Sequence, residues 1–170
     1  MNLFKMKNSI VLLLMIGLFS CQPKKDTDTP ENNISEASKA TIDYTVATQF
    51  ISDYVHFLDH STDPKATLSW IQNNKLLTSS FKDRYSHIME EAWKEDPELG
   101  LGFDPVFDGQ DYPDNNYTIT AIDSLSGFVT VSSESWKEFA VVMRVVQNGK
   151  LSLVDGSGII NIPEDKRAQR

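Results

Sequence analysis

The spacing of apolar residues changes period once along this chain, and that change dictates the class of fold. Ile42, Val46, Phe50, Ile51, Tyr54, Val55 and Leu58 recur at three- and four-residue intervals. Such intervals place them on one face of a helix, predicted from about residue 41 to 59. Asp43, Gln49, Ser52, Asp53 and His56 fall mostly on the other face. Thr62-Asp63-Pro64 is a helix start, a capping side chain followed by Pro at an early helical position. It opens a short helix over 64–73 that buries Leu68, Trp70 or Ile71 and stops at Asn73-Asn74. Thr78 caps a third helix reaching about residue 94, with Phe81, Tyr85, Ile88, Met89, Ala92 and Trp93 as its buried stripe. Pro97 and Gly100 close it.

From Tyr117 the period falls to two, and β-branched residues take over. Strands are predicted over 117–123, 127–133, 138–147 and 151–155. Gln147-Asn148-Gly149-Lys150 carries the Asn-Gly dipeptide of a tight hairpin. In the third strand Phe139, Val141, Met143 and Val145 alternate with Ala140, Val142, Arg144 and Val146. It is apolar on nearly both faces, so it is expected to be central and covered. Gly156 and Gly158 suggest a bend before Ile159-Ile160. Helices first and an antiparallel meander after give an α+β fold, with the helices packed on one face of a curved four-stranded sheet. Strong curvature would make the sheet a cone with helices across its mouth.

The chain of 170 residues suffices for one domain. Its first forty residues read differently. Lys5 and Lys7 precede an apolar run, Ile10 to Phe19, too short to span a bilayer and of the right length for the core of a signal peptide. Leu18-Phe19-Ser20-Cys21 follows, and Cys21 is the only cysteine. This string resembles the bacterial lipobox: Leu at −3, a small residue at −1, and the cysteine that takes up diacylglycerol before cleavage. Phe19 is bulkier than usual at −2. The resemblance implies a signal peptide over 1–20 and a lipid on Cys21, the first residue of the mature chain. Two or three acyl chains would anchor it durably, since each buried methylene contributes about 0.8 kcal/mol. Gln22 in place of Asp after the cysteine permits outer-membrane delivery, by resemblance to the enterobacterial sorting rule. Residues 21–40 are polar and Pro-punctuated, the composition of a flexible tether with a reach of roughly 25 Å. The domain is expected over 41–163, and 164–170 as a polar tail.

The net charge is −8, and the part that remains without Lys5 and Lys7 carries −10. Nucleic-acid binding needs clustered Lys and Arg, so that class is excluded. A polybasic grip on anionic lipid is excluded on the same ground. A single cysteine permits neither an internal disulfide nor a multi-cysteine metal site.

Between the two halves lies Gly102-Phe103-Asp104-Pro105-Val106-Phe107-Asp108-Gly109-Gln110-Asp111-Tyr112-Pro113. Carried by Asp104, Pro105, Gln110, Asp111 and Pro113, this string resembles a family of bacterial lipoproteins known only as a domain of unknown function. The likeness covers about residues 43 to 163. It implies a nuclear transport factor 2-like, or cystatin-like, cone and no assigned reaction. A Trp frequent before the last strand of that family is replaced here by Leu151.

Asp104, Asp108, Asp111 and Asp114 crowd one loop, and four carboxylates suit Ca²⁺. Their spacing is not that of an EF-hand. The favoured role is structural: Asp104 and Asp111 accepting backbone N–H bonds in turns beside Pro105 and Pro113, with Gln110 also bonded to backbone. His56, His60 and His87 read as surface histidines. Tyr54 and Tyr85 either point polar tips into a cavity or belong to the core, and the core is favoured. Trp136, in a polar hairpin connection, either packs over the sheet edge or meets a partner. Nucleophile triads, phosphate loops and His-rich metal spacings are absent from the sequence. The expectation is therefore a lipid-anchored envelope protein without catalytic residue, cofactor or metal. Its domain binds a small molecule, a peptide or another envelope protein. Two alternatives are a cone-type enzyme using Asp111 or a tyrosine as acid or base, and an immunity-like protein that blocks a toxin through its acidic surface.

Overall fold

The structure, a computed structural model, describes residues 41–169 apart from residue 62. The signal peptide, Cys21 and the tether lie outside the described residues. Three helices come first, α1 (Thr45–Leu58), α2 (Pro64–Asn73) and α3 (Ser79–Glu95). Four strands follow, β1 (Tyr117–Asp123), β2 (Phe128–Ser133), β3 (Ala140–Asn148) and β4 (Leu151–Ser157). They form one antiparallel sheet in the order β1-β2-β3-β4, a meander that does not close on itself. The α+β class, the element order and the packing of helices with sheet are those expected from the change of period. Among the described residues no helix is long and apolar enough to cross a membrane.

Local chemistry sets the helix ends. Asp63 accepts the Lys65 amide at 2.9 Å, and Pro64 occupies the first turn of α2. Thr78 accepts the Phe81 amide at 3.1 Å and so caps α3. Helix α1 begins four residues later than its apolar pattern predicts. The reason is Asp43. Its carboxylate accepts both the Thr45 amide and the Thr45 hydroxyl, while its own amide donates to Ser152 Oγ on β4. Residues 42 and 43 are thus drawn to the sheet instead of extending the helix.

The space between helices and sheet is filled. Phe50, Tyr54, Phe81, Phe107, Met143 and Ile160 are among its largest fully buried side chains. On β3 the inward residues Val141, Met143 and Val145 are buried, while Ala140, Val142, Arg144 and Val146 are half-buried. Their face of the sheet is partly covered by chain after Ile160. The Ile162 side chain lies where a Cβ on Gly156 would sit, and Gly156 pairs with Arg144. The region expected to be a polar tail opens with a 3-10 turn (Glu164–Lys166), and Arg167 Nε donates back to the Ile162 carbonyl.

Two register irregularities interrupt the ladders, one in β1 between Ile119 and Ala121, the other opposite Arg144/Val145 on β3. Bulges increase local twist and bend a strand, consistent with the curved, cone-like sheet anticipated. The β3–β4 hairpin turns through Gly149 and Lys150, with Asn148 paired to Leu151. Gly149 alone takes positive φ there, so the turn has its glycine at the first central position and not the second, as Asn-Gly would give.

Candidate functional site

The loop between α3 and β1 is the segment that carries the Asp-Pro string, and it folds inward. Asp104 and Gly109 bridge across it, each amide donating to the other's carbonyl. Asp104 Oδ1 accepts the amides of Val106 (2.7 Å) and Phe107 (3.2 Å), which closes the turn around Pro105. Val106 and Phe107 are thereby driven into the core, where neither is exposed. From the sheet side Ser157 Oγ donates to the Val106 carbonyl at 2.8 Å, and the Ile159 amide to the Pro105 carbonyl at 3.0 Å. The expected bend at Gly156–Gly158 is thus what receives this loop.

On the helix side, Tyr54 of α1 donates its hydroxyl proton to Asp104 Oδ2 at 2.7 Å. Tyr85, from α3, lines the same cleft beside Tyr54 and Asp104. Tyr54 has one hydroxyl proton and gives it to the carboxylate, which leaves its oxygen only lone pairs. Three segments thus meet at Asp104, Tyr54 and Tyr85. Asp104 keeps some exposure as a residue, but its carboxyl group is enclosed by protein. Burial pushes this carboxyl up to about 6, against the bonds from Tyr54 and the two amides, which hold it down. Both tyrosines are held well above the usual phenol range, first by burial and then by the neighbouring Asp104 charge. They remain neutral donors at any physiological pH.

These groups line an open cleft of about 280 Å³ at the rim of the domain. Leu58 and Ser61 come from the end of α1, Pro64 and Thr67 from α2, Phe103 and Tyr112 from the loop. The volume lies near the lower end for small-molecule sites, and a titratable group displaced by its surroundings is a marker of such sites. A larger cleft of about 570 Å³ between α1 and α2 is lined by Asp53, His56, His60, Trp70 and Lys75 among others. His60 Nδ1 lies 2.8 Å from the His56 carbonyl there. Its ionisable side chains are exposed and of mixed sign, and none has the enclosed setting of Asp104.

The Asp-Pro string is only partly gathered at the cleft. Asp104 is its floor, and Pro105 is buried beneath. Gln110 Nε2 donates to the Gly102 carbonyl at 3.2 Å, the backbone role expected of it. Pro113 is buried, and its carbonyl accepts the Tyr117 hydroxyl. Asp111 and Asp114 are exposed, and neither lines the cleft. Asp108 takes a positive φ of 56° at the loop tip. The four carboxylates do not converge, and no cluster of three or more metal-ligating side chains occurs among the described residues. His87 is exposed on α3. Trp136 is 39% exposed and leans on Phe139, with ring centroids 6.1 Å apart. Cys21 lies outside the described residues. Tyr54 and Tyr85 prove to be core with a polar edge: both are buried, and the Tyr54 hydroxyl reaches the carboxyl. Phe103, Tyr112, Ser61 and Thr67 carry no sequence signal that would have drawn them into the site.

No family model, curated protein or solved structure gives a significant match to this chain.

Proposed function

We propose that this chain is a lipid-anchored protein of the bacterial envelope whose α+β domain binds a small molecule in the Tyr54–Asp104 cleft. One observation carries the binding site: an enclosed carboxyl at the floor of an open cleft, reached by side chains of two helices and one loop. The anchor rests on the apolar run before Cys21, the lipobox-like Leu-Phe-Ser-Cys string and the polar stretch that follows. Outer-membrane delivery rests on Gln22. The likeness of the Asp-Pro string to a lipoprotein family agrees with the anchor.

Binding is favoured over acid–base catalysis because the carboxylate is immobilised. Three of its acceptor positions are occupied by Tyr54 and the two loop amides, an arrangement that orients a recognition group. An enzyme of the cone type would have Asp104 as its base rather than the exposed Asp111, since a value near 6 suits proton abstraction.

Two measurements test the reading. Metabolic labelling with a palmitate analogue should mark the protein, and Cys21→Ala should abolish the mark and release the chain from membranes. A metabolite screen by thermal shift on the full-length protein in detergent should yield ligands whose effect is lost in Tyr112→Ala. An unlabelled protein overturns the anchor. A screen whose hits are all insensitive to Tyr112→Ala overturns the cleft.

A further inference from the structure

We infer that the ligand of the Tyr54–Asp104 cleft is a small organic ammonium ion. This rests on the reading of that cleft as a small-molecule site and narrows it to a charge and a donor pattern.

The first ground is an uncompensated charge. Burying a carboxylate is unfavourable unless a cation or enough donors offset the loss of water. Asp104 has no cationic partner: the ion pairs of the described residues are Lys94–Glu91, Arg144–Asp155 and Lys166–Asp165, all elsewhere. No Lys, Arg or His lines the cleft. Its three hydrogen bonds come from neutral donors. An ionised carboxyl has about four acceptor positions, so one remains, on Oδ2 beside Tyr54.

The second ground is the fate of the hydroxyl protons. Tyr54 gives its proton to Asp104. Thr67 Oγ1 donates to the Asp63 carbonyl at 3.2 Å. What Tyr54, Thr67 and the open position on Asp104 Oδ2 still offer a ligand is lone pairs. A ligand that meets the carboxylate must bring a donor to it, which an anion or a ketone lacks and an ammonium group has.

The third ground is the wall. Phe103 and Tyr112, both half-buried, contribute aromatic rings, whose faces attract cations. An apolar ligand would satisfy these rings and leave the carboxyl uncompensated. A neutral alcohol would supply a donor without the charge. An ammonium ion supplies both, and the excess of acidic residues in the chain favours its approach.

The test uses 2-phenylethylammonium and its neutral counterpart 2-phenylethanol, each titrated into the full-length protein in detergent by calorimetry. The ammonium ion is expected to bind about tenfold or more tightly than the alcohol. Asp104→Asn should erase that preference. Should this variant fail to fold, the wild-type protein still answers. The ionisable groups facing the carboxyl are Tyr54 from α1, Tyr85 from α3 and Tyr112 from the loop, with Asp59 and Asp114 acting on Tyr112 from further out. All three phenols stay neutral, so ammonium affinity should drop by about an order of magnitude from about pH 7 to about pH 5, and alcohol affinity should not. Equal or tighter binding of the alcohol overturns the proposal and leaves the cleft a binding site. Failure of both probes at millimolar concentration overturns the proposal too, and the wider metabolite screen then decides the cleft on its own.

Discussion

Thr78 joins the start of α3 to the sheet through one hydroxyl: it donates to Asp155 Oδ1 at 2.7 Å and accepts the Phe81 amide at 3.1 Å. Its backbone does the same work in parallel, the Thr78 amide donating to Val154 and the Val154 amide to Leu76. Asp155 in turn sits 3.5 Å from the Arg144 guanidinium. The segment before α3 therefore covers the edge of β4, which would otherwise present unpaired backbone.

Thr78→Ala should destabilise the domain by about 1–2 kcal/mol, the usual loss on removing a helix cap. Thr78→Ser keeps both hydrogen bonds and should recover most of that. Urea denaturation of the three proteins decides it, and a Ser variant as unstable as the Ala variant would assign the loss to the methyl group instead.

Asp104 should give this protein an unusual pH dependence. Its carboxyl titrates at about 6 in the folded chain against an ordinary value of 3.8. Between those values the folded state holds a proton that the unfolded state has released. The contribution of this residue is thus fully present below about pH 4 and is lost as pH rises through about 6, by about 3 kcal/mol in all. Exposed Asp43 and Asp123 are lowered by hydrogen bonds from Thr45 and Ser126 and work in the opposite sense. The comparison is therefore between wild type and Asp104→Asn, followed by denaturation from pH 4 to pH 7. Their stability difference should change with pH in that window, with wild type losing ground as pH rises. A constant difference would refute the burial argument.

Gly158 has no room for a side chain. It takes φ of 56°, and a Cβ there would lie 2.4 Å from the Pro105 carbonyl oxygen and 2.6 Å from that of Val106. Both contacts are with backbone that cannot turn aside. Gly158→Ala should cost about 3 kcal/mol or more and push the Asp104 loop off the sheet. Far-UV dichroism should stay close to native while the thermal midpoint falls, and ligands of the cleft should bind more weakly. A variant of native stability would show that the loop is not clamped as described.

Much of this molecule is readable from local pattern. Helix α2 begins and ends where its Asp-Pro start and Asn-Asn stop place it, because those signals act through bonds within two residues. Thr78 caps its own helix for the same reason. The strands follow alternation, since side chains on a strand change face at every residue. The start of α1 escapes that logic, because Asp43 is drawn to Ser152, a hundred and nine residues away.

The site divides along the same line. From sequence alone come the α+β class, the order of helices and strands, and the turn around Asp104 and Pro105, all set by neighbours along the chain. Tertiary structure alone decides that Asp104 faces Tyr54 across fifty residues, that Tyr85 lines the same cleft from a third segment, and that Asp111 is left outside it. A carboxylate carries the same chemistry wherever it stands in a sequence. What it becomes depends on how much water the fold removes from it and which protons the fold brings to it, and those are properties of distant segments packed together.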